Sequence, residues 1–233
     1  MATLEAIHNI KPIKKKPILP YKLKDRLQLP AFIRLPATFQ DFIELSLECE
    51  YKVEYSNGDV ISIFETDQLN KNILMGTATI THEEIVGNII FALNLIFRGN
   101  KDFHVLGSNT NTFIDENTAT YNPDTVVVNG KSETRLYKFN KKTQTCLTNP
   151  WLVVEVLSQG TREFDLVEKL SRYKNIFTLQ QIIFVEQYWT QVTTYIKKAE
   201  NQWLSIEETE KTASIPVAHG FIALDDVYQK IEY

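Results

Sequence analysis

Glu155 stands in the middle of the most apolar run of the chain, Trp151-Leu152-Val153-Val154-Glu155-Val156-Leu157. The run is short and β-branched and ends in Ser158-Gln159-Gly160, so it reads as a buried central strand. A carboxylate buried there forfeits on the order of several kcal/mol of hydration unless something compensates it. A metal ion or a catalytic role is the natural compensation, and a buried salt bridge is the duller one. Asp124 is the second acidic residue of interest, because Pro123 fixes the approach to Asp124-Thr125-Val126-Val127-Val128, another apolar strand. Carboxylates on neighbouring strands can come within coordination reach of each other. Hard oxygen donors of this kind suit Mg2+ or Mn2+, which keep several waters and lean on a substrate phosphate for the rest. Such a cation makes bound water acidic and neutralises charge at a reacting phosphorus.

Further residues complete the candidate set. Glu54 brings a third carboxylate from a hairpin, and Lys169, on the helix after the central strand, is the nearest cation that could position a water. Asp165 and His82 are accessory candidates. Each has a plainer reading. Asp124 could simply start a strand, and Glu54 could be an exposed hairpin residue. Asp165 and Lys169 form an i,i+4 pair worth only about a few tenths of a kcal/mol on a helix surface. His82 could be a surface residue at a helix entry.

The elements that must position these groups follow from the local pattern. Residues 1–37 read as an extended arm, since Lys11, Lys14, Lys15 and Lys16 alternate with Pro12, Pro17 and Pro20. Pro36 and Thr38 open a helix carrying Phe39, Phe42, Ile43 and Leu47. Asn57-Gly58 between two alternating segments predicts a hairpin. Residues 67–80 read as a polar loop. Thr81-His82-Glu83-Glu84 has the form of a capping box before the stripe Ile85, Ile89, Leu93, Ile96, and Gly99 ends that helix. Short strands follow at Phe103–Leu106, Thr112–Ile114 and Asp124–Val128. Residues 129–150 form a polar, basic loop or hairpin with Lys131, Arg135, Lys138, Lys141 and Lys142. Asp165 and Glu168 suggest a second capping box, ahead of Leu166, Leu170 and Tyr173 on one face. Strands at Ile182–Val185 and Val192–Ile196, an acidic turn at Glu207, Glu208 and Glu210, and a small closing element at 221–229 complete the chain. The order gives an α/β fold with a mixed sheet. It lacks both regular βαβ alternation and a glycine-rich phosphate loop.

Composition bounds the function. The chain has 233 residues, 43% of them hydrophobic and 23% charged, enough for one sizeable domain with appendages. A net charge of −4 argues against coating nucleic acid by bulk electrostatics, yet allows a local basic groove on an enzyme. No apolar run approaches the roughly 20 residues of a membrane span, and no secretory leader is evident. Cys49 and Cys146 have no metal-ligand spacing, so a reduced, cytoplasmic setting is expected.

Several of these segments together resemble the Uma-two family of endonucleases, within the PD-(D/E)xK restriction-endonuclease-like superfamily. They are Tyr51–Val60, Thr81–Asn88, Asn122–Val128, Asn149–Ser158 followed by Thr161, Asp165, Lys169 and Tyr173, and Leu179–Val185. Order and spacing agree over about residues 38–230. The resemblance implies a single domain from 38 to 233 with a restriction-endonuclease-like central mixed β-sheet flanked by helices. It implies Mg2+-dependent (or Mn2+-dependent) hydrolysis of nucleic-acid phosphodiesters, with DNA as the expected substrate. By it, Asp124 matches the acidic residue of the Pro-Asp motif, Glu155 the following acidic residue and Glu54 the upstream glutamate. Leu157 stands where the superfamily pattern has lysine, and Lys169 looks like that lysine moved to the neighbouring helix. Asn109 follows Ser108 where relatives often carry aspartate. The basic stretch from Lys131 to Lys142 is the expected contact to the nucleic-acid backbone. Two cuts in a duplex would suit a symmetric homodimer. The alternatives are a non-catalytic nucleic-acid-binding or interaction module on the same fold, and a hydrolase of small phosphate esters.

Overall fold

The computed structural model describes residues 8–9, 18–64, 79–115 and 119–233. They form two compact units. One comprises the described residues of Met1–Thr77, Asn111–Asn122 and Glu133–Thr148, and the other those of Ala78–Thr110, Pro123–Ser132 and Asn149–Tyr233. The single domain expected from residue 38 onward is thus divided, and the division cuts across the chain order.

The first unit is built on a sheet whose order runs His8–Asn9, Thr134–Phe139, Lys142–Leu147, Thr112–Asp115, Ala119–Tyr121, Glu54–Ser56, Asp59–Ile63, Phe32–Pro36. The Asn-Gly hairpin forms as its sequence dictates, with Asn57 at φ 53° and Gly58 at φ 85°, the left-handed pair that a tight two-residue turn requires. Thr38 caps the helix Phe39–Glu48 in a reciprocal capping box with Asp41, and that helix buries Phe42, Ile43 and Leu45. They join Tyr55, Val60, Phe113, Tyr137 and Phe139 in an aromatic-rich core. The basic segment 129–150 contains a hairpin, Thr134–Phe139 with Lys142–Leu147, turned at Asn140 with φ 54°.

Residues 18–37 are not an arm. Leu19 is buried, Phe32–Pro36 pairs antiparallel with Asp59–Ile63, and Arg26 is fully buried. Arg26 donates to Ser62 Oγ (2.9 Å) and to the carbonyls of Pro30 (2.8 Å), Ala31 (3.0 Å) and Ser62 (2.9 Å), with its guanidinium 4.8 Å from the centre of the Phe64 ring. A guanidinium satisfied by four oxygens tolerates burial that the sequence pattern of a charged, proline-rich stretch does not suggest. The Lys11–Pro17 stretch and most of the loop expected at 67–80 lie outside the described residues.

The second unit carries a six-stranded mixed sheet in the order Gln202–Glu208, Val192–Ala199, Gln181–Glu186, Leu152–Leu157, Thr125–Asn129, Phe103–Gly107. The apolar run at Leu152–Leu157 is its central strand, parallel to Gln181–Glu186 and antiparallel to Thr125–Asn129. Every residue of it is buried, as an apolar strand with both faces covered should be. Leu152, Val154 and Val156 share a core with Ile85, Ile89 and Leu93 of the helix Ile80–Ile96 and with Ile215, Ile222, Leu224 and Tyr228 near the C-terminus. Alternation then turns Val153, Glu155 and Leu157 the other way. Trp151 does not share that face, because it lies ahead of the strand and packs edge-on to Phe97 and Phe103. Glu207 and Glu208 end the strand Gln202–Glu208 rather than making a turn. Among the described residues, no helix is long and apolar enough to cross a membrane.

Candidate active site

The antiparallel ladder between the central strand and Thr125–Asn129 pairs Val154 with Thr125. Asp124 stands in a bend immediately before Thr125–Asn129, past the last paired residues Val154 and Thr125, at the end of the ladder that Glu155 also occupies. Asp124 occupies the end of this ladder through its side chain, since its Oδ2 accepts from the Val156 main-chain N–H at 2.8 Å. The same oxygen lies 3.2 Å from Nε2 of His82. His82 is placed by its helix cap, where Thr79 Oγ1 accepts from the His82 N–H at 3.0 Å. The cap is therefore Thr79 and not Thr81, because Ile80 already has helical geometry and Thr79 is further held by donating to Gln187 Oε1 (2.6 Å). Burial pushes the Asp124 carboxyl upward. The His82 hydrogen bond and charge, the Val156 N–H and the Lys169 charge outweigh this and hold it below its ordinary value.

Glu155 has a side chain only 5% exposed. Its Oε1 accepts from Lys169 Nζ at 3.0 Å and from Tyr173 OH at 2.5 Å. Lys169 Nζ is also 3.0 Å from Asp165 Oδ1, an ion pair whose angles fall outside hydrogen-bond geometry. These partners come from one stretch, a π-helical turn Phe164–Lys169 running into the α-helix Leu170–Tyr173. The wider turn stacks residues five apart, so Lys169 Nζ sits 5.6 Å from the centre of the Phe164 ring. The capping box expected from Asp165 and Glu168 is absent, because Asp165 points at Lys169 and no side chain caps this segment.

The second unit thus gathers Asp124, Glu155, Lys169, Asp165 and His82. Glu54 belongs to the first unit, where its Oε1 accepts from the Asn122 main-chain N–H at 2.9 Å. Of the basic residues, Lys131 is in the second unit and exposed. Arg135, Lys138, Lys141 and Lys142 are on the hairpin of the first. There Arg135 lies 4.5 Å from the Phe113 ring centre and Lys142 pairs with Glu48 at 2.9 Å, so both have structural duties.

Two supporting residues, Gln187 and Arg162, had no clear mark in the sequence, and a third, Tyr173, was marked by the family resemblance but given no role. Tyr173 looks like an ordinary member of an apolar helical face. Gln187 joins the carbonyl of Leu157 (3.1 Å) to the Thr79 cap, tying the end of the central strand to the start of the helix that carries His82. Arg162 pairs with buried Glu186 beside the ring of Trp189. A polar Glu-Gln pair closing the apolar strand Gln181–Glu186 was the available signal for this corner.

Asp124, Glu155 and Asp165 against Lys169 sum, as formal ions, to −3 + 1 = −2. Among the described residues no three His, Cys, Asp or Glu side chains gather as a metal-binding group. A Mg2+ that keeps most of its waters needs only one or two carboxylates. Asp124, 17% exposed and with both its contacts on Oδ2, and Glu155, next to the residue whose N–H Asp124 accepts, are two such carboxylates, so the donors fit the ion.

Residues 39–225 match the sequence model of Uma2, a family described as "Putative restriction endonuclease". The chain belongs to the Uma2 family. A relative from Synechocystis, "Uncharacterized protein sll1609", is 26% identical over 178 residues, covering 76% of this chain and 90% of its own. A crystal structure described as a putative nuclease belonging to DUF820, from Anabaena variabilis, superposes with a TM-score of 0.59 at 15% identity, covering 83% of this chain and 98% of the other. The restriction-endonuclease-like mixed sheet expected of a Uma2 protein is the fold observed.

Proposed function

We propose that the protein is a Mg2+-dependent (or Mn2+-dependent) endonuclease that hydrolyses phosphodiesters of nucleic acid, DNA in the first instance, in the cytoplasm. The observation that carries this reading is Asp124 bound to the main chain of Val156, the residue after Glu155, with Lys169 locked onto the glutamate. When bound at the two carboxylates, the divalent cation supplies Lewis-acid activation of water and charge neutralisation at phosphorus. Asp124 and Glu155 hold it. His82 and the Val156 N–H fix the Asp124 rotamer by occupying one oxygen, and Tyr173 does the same for Glu155, the outer support that metal-binding carboxylates depend on. Lys169, flanked by two carboxylates, presents its ammonium as a fixed donor that orients the attacking water and offsets charge developing on the phosphoryl oxygens. Asp165 sets the direction of that ammonium. Lys131, exposed in the unit that carries the carboxylates, is assigned to a phosphate contact that positions the strand without reading its sequence.

The test is cleavage of supercoiled plasmid with Mg2+ or Mn2+ against an EDTA control. Asp124→Ala, Glu155→Gln and Lys169→Met should each lower the rate at least about a hundredfold while circular dichroism stays native. Full activity in Asp124→Ala or Glu155→Gln would remove the site, and activity in EDTA would remove the metal. Cleavage of small phosphodiesters but not of DNA or RNA would move the protein to the small-ester class.

A further inference from the structure

The helix Ile80–Ile96 buries one side and leaves another bare. On the bare side Phe91 is 66% exposed and Leu95 51%, large apolar side chains standing four residues apart on one stripe. Gly87, one turn before Phe91, is exposed, and a Cβ built on it meets nothing within 4 Å. A glycine in mid-helix is unfavourable relative to alanine, and nothing in this chain's own packing asks for it. Glu84 on the helix and Arg98 in the turn just past its C-cap Phe97 flank the stripe, both exposed, and neither forms an ion pair among the described residues.

The five positions Glu84, Gly87, Phe91, Leu95 and Arg98 are spaced three, four, four and three residues apart. That spacing is a palindrome about Phe91. Laid antiparallel against itself about a twofold axis at Phe91, the stripe sets Glu84 against Arg98, Gly87 against Leu95, and Phe91 against its own counterpart. These three contacts are complementary: acid meets base, a missing side chain meets a bulky one, and an aromatic ring meets a ring. Self-complementarity of one patch is the requirement of a closed twofold interface.

We propose that this stripe is the seam of a homodimer, with a second copy of the chain as its occupant and Phe91 on the symmetry axis. Gly87 is then explained, because it lets the two helix backbones approach closely enough for Leu95 of the other copy to pack over it. The inference is independent of the nuclease reading, since association is measured without any catalytic signal.

Sedimentation over a concentration series is the experiment. Wild type should sediment as twice the 27.0 kDa chain mass, and Phe91→Glu and Gly87→Gln as monomers with native circular dichroism. Glu84→Arg and Arg98→Glu should each raise the dissociation constant at least tenfold, and the double swap should bring it back, because reversing both charges restores both ion pairs. Phe91→Cys should cross-link to a covalent dimer on oxidation, whereas a cysteine at exposed Asn94 should not. A monomeric wild type overturns the proposal. So does a dimer that Phe91→Glu leaves intact, or a double charge swap no better than the singles.

Discussion

One oxygen of Asp124 takes both a ring nitrogen and a main-chain amide, so the carboxylate is worth most to the fold when ionised. Its native pKa lies below its ordinary value of 3.8. The stabilisation is therefore present above the ordinary value and is lost as pH falls through the lower native one. In EDTA, the stability gap between wild type and Asp124→Asn should shrink as pH is lowered from about 5 through the carboxylate range. Urea midpoints at a series of pH values measure this, and a gap that widens on acidification would contradict the assignment. Tyr173→Phe removes a hydroxyl from a buried carboxylate and should lower both metal affinity and cleavage about 10- to 100-fold, read by Mn2+ titration and plasmid nicking. Glu155 was legible in the sequence because an acid inside an apolar run violates the pattern of its neighbours. Tyr173 stood in the family pattern without a role, because a tyrosine on an apolar helical face obeys the pattern of its neighbours, and only the structure shows its hydroxyl on Glu155.

Helix entries are where local sequence signals competed. Thr79 and Thr81 can both cap, and the four-residue box Thr81-His82-Glu83-Glu84 looks like the stronger of the two. The structure chooses Thr79, whose hydroxyl accepts from the His82 N–H and donates to Gln187, a partner 108 positions away. Thr79→Ala should cost about 1 kcal/mol and loosen His82, while Thr81→Ala should stay within about 0.5 kcal/mol, as thermal unfolding will tell. The helix over 39–48 shows the opposite case, since Thr38 and Asp41 are local to each other and the cap was read correctly. Strands were found where apolar runs were continuous. The edge strand Gln202–Glu208 was missed, because one of its faces is solvated and its acids look like a turn. The π-helical turn leaves no mark in the sequence, since its extra residue is specified by the contacts of Lys169 and Phe164 rather than by propensity.

On the scale of the whole molecule, the fold class was legible from the order of elements and the extent of the first unit was not. A stretch rich in lysine and proline looks peripheral, yet Arg26 within it is a buried hub with four acceptor oxygens. Arg26→Met keeps the bulk and removes the donors that serve the Pro30 carbonyl and the Ser62 hydroxyl. It should destabilise the first unit by about 2–4 kcal/mol in denaturant titration. Lys22→Ala, a salt bridge between exposed side chains, should have almost no effect.

Each unit is assembled from three separate lengths of chain, so the polypeptide passes from one to the other five times. During synthesis, nothing emerging before position 148 can finish the first unit, and the second waits for the final strands. The first unit therefore has its full set of residues only when Thr148 has emerged and the second only at the end, and a truncation before Thr148 leaves two unfinished bodies. Neither half can be lifted out as a continuous segment and fused elsewhere. Variation in this protein should accordingly accumulate by substitution in place, with little trace of shuffled modules.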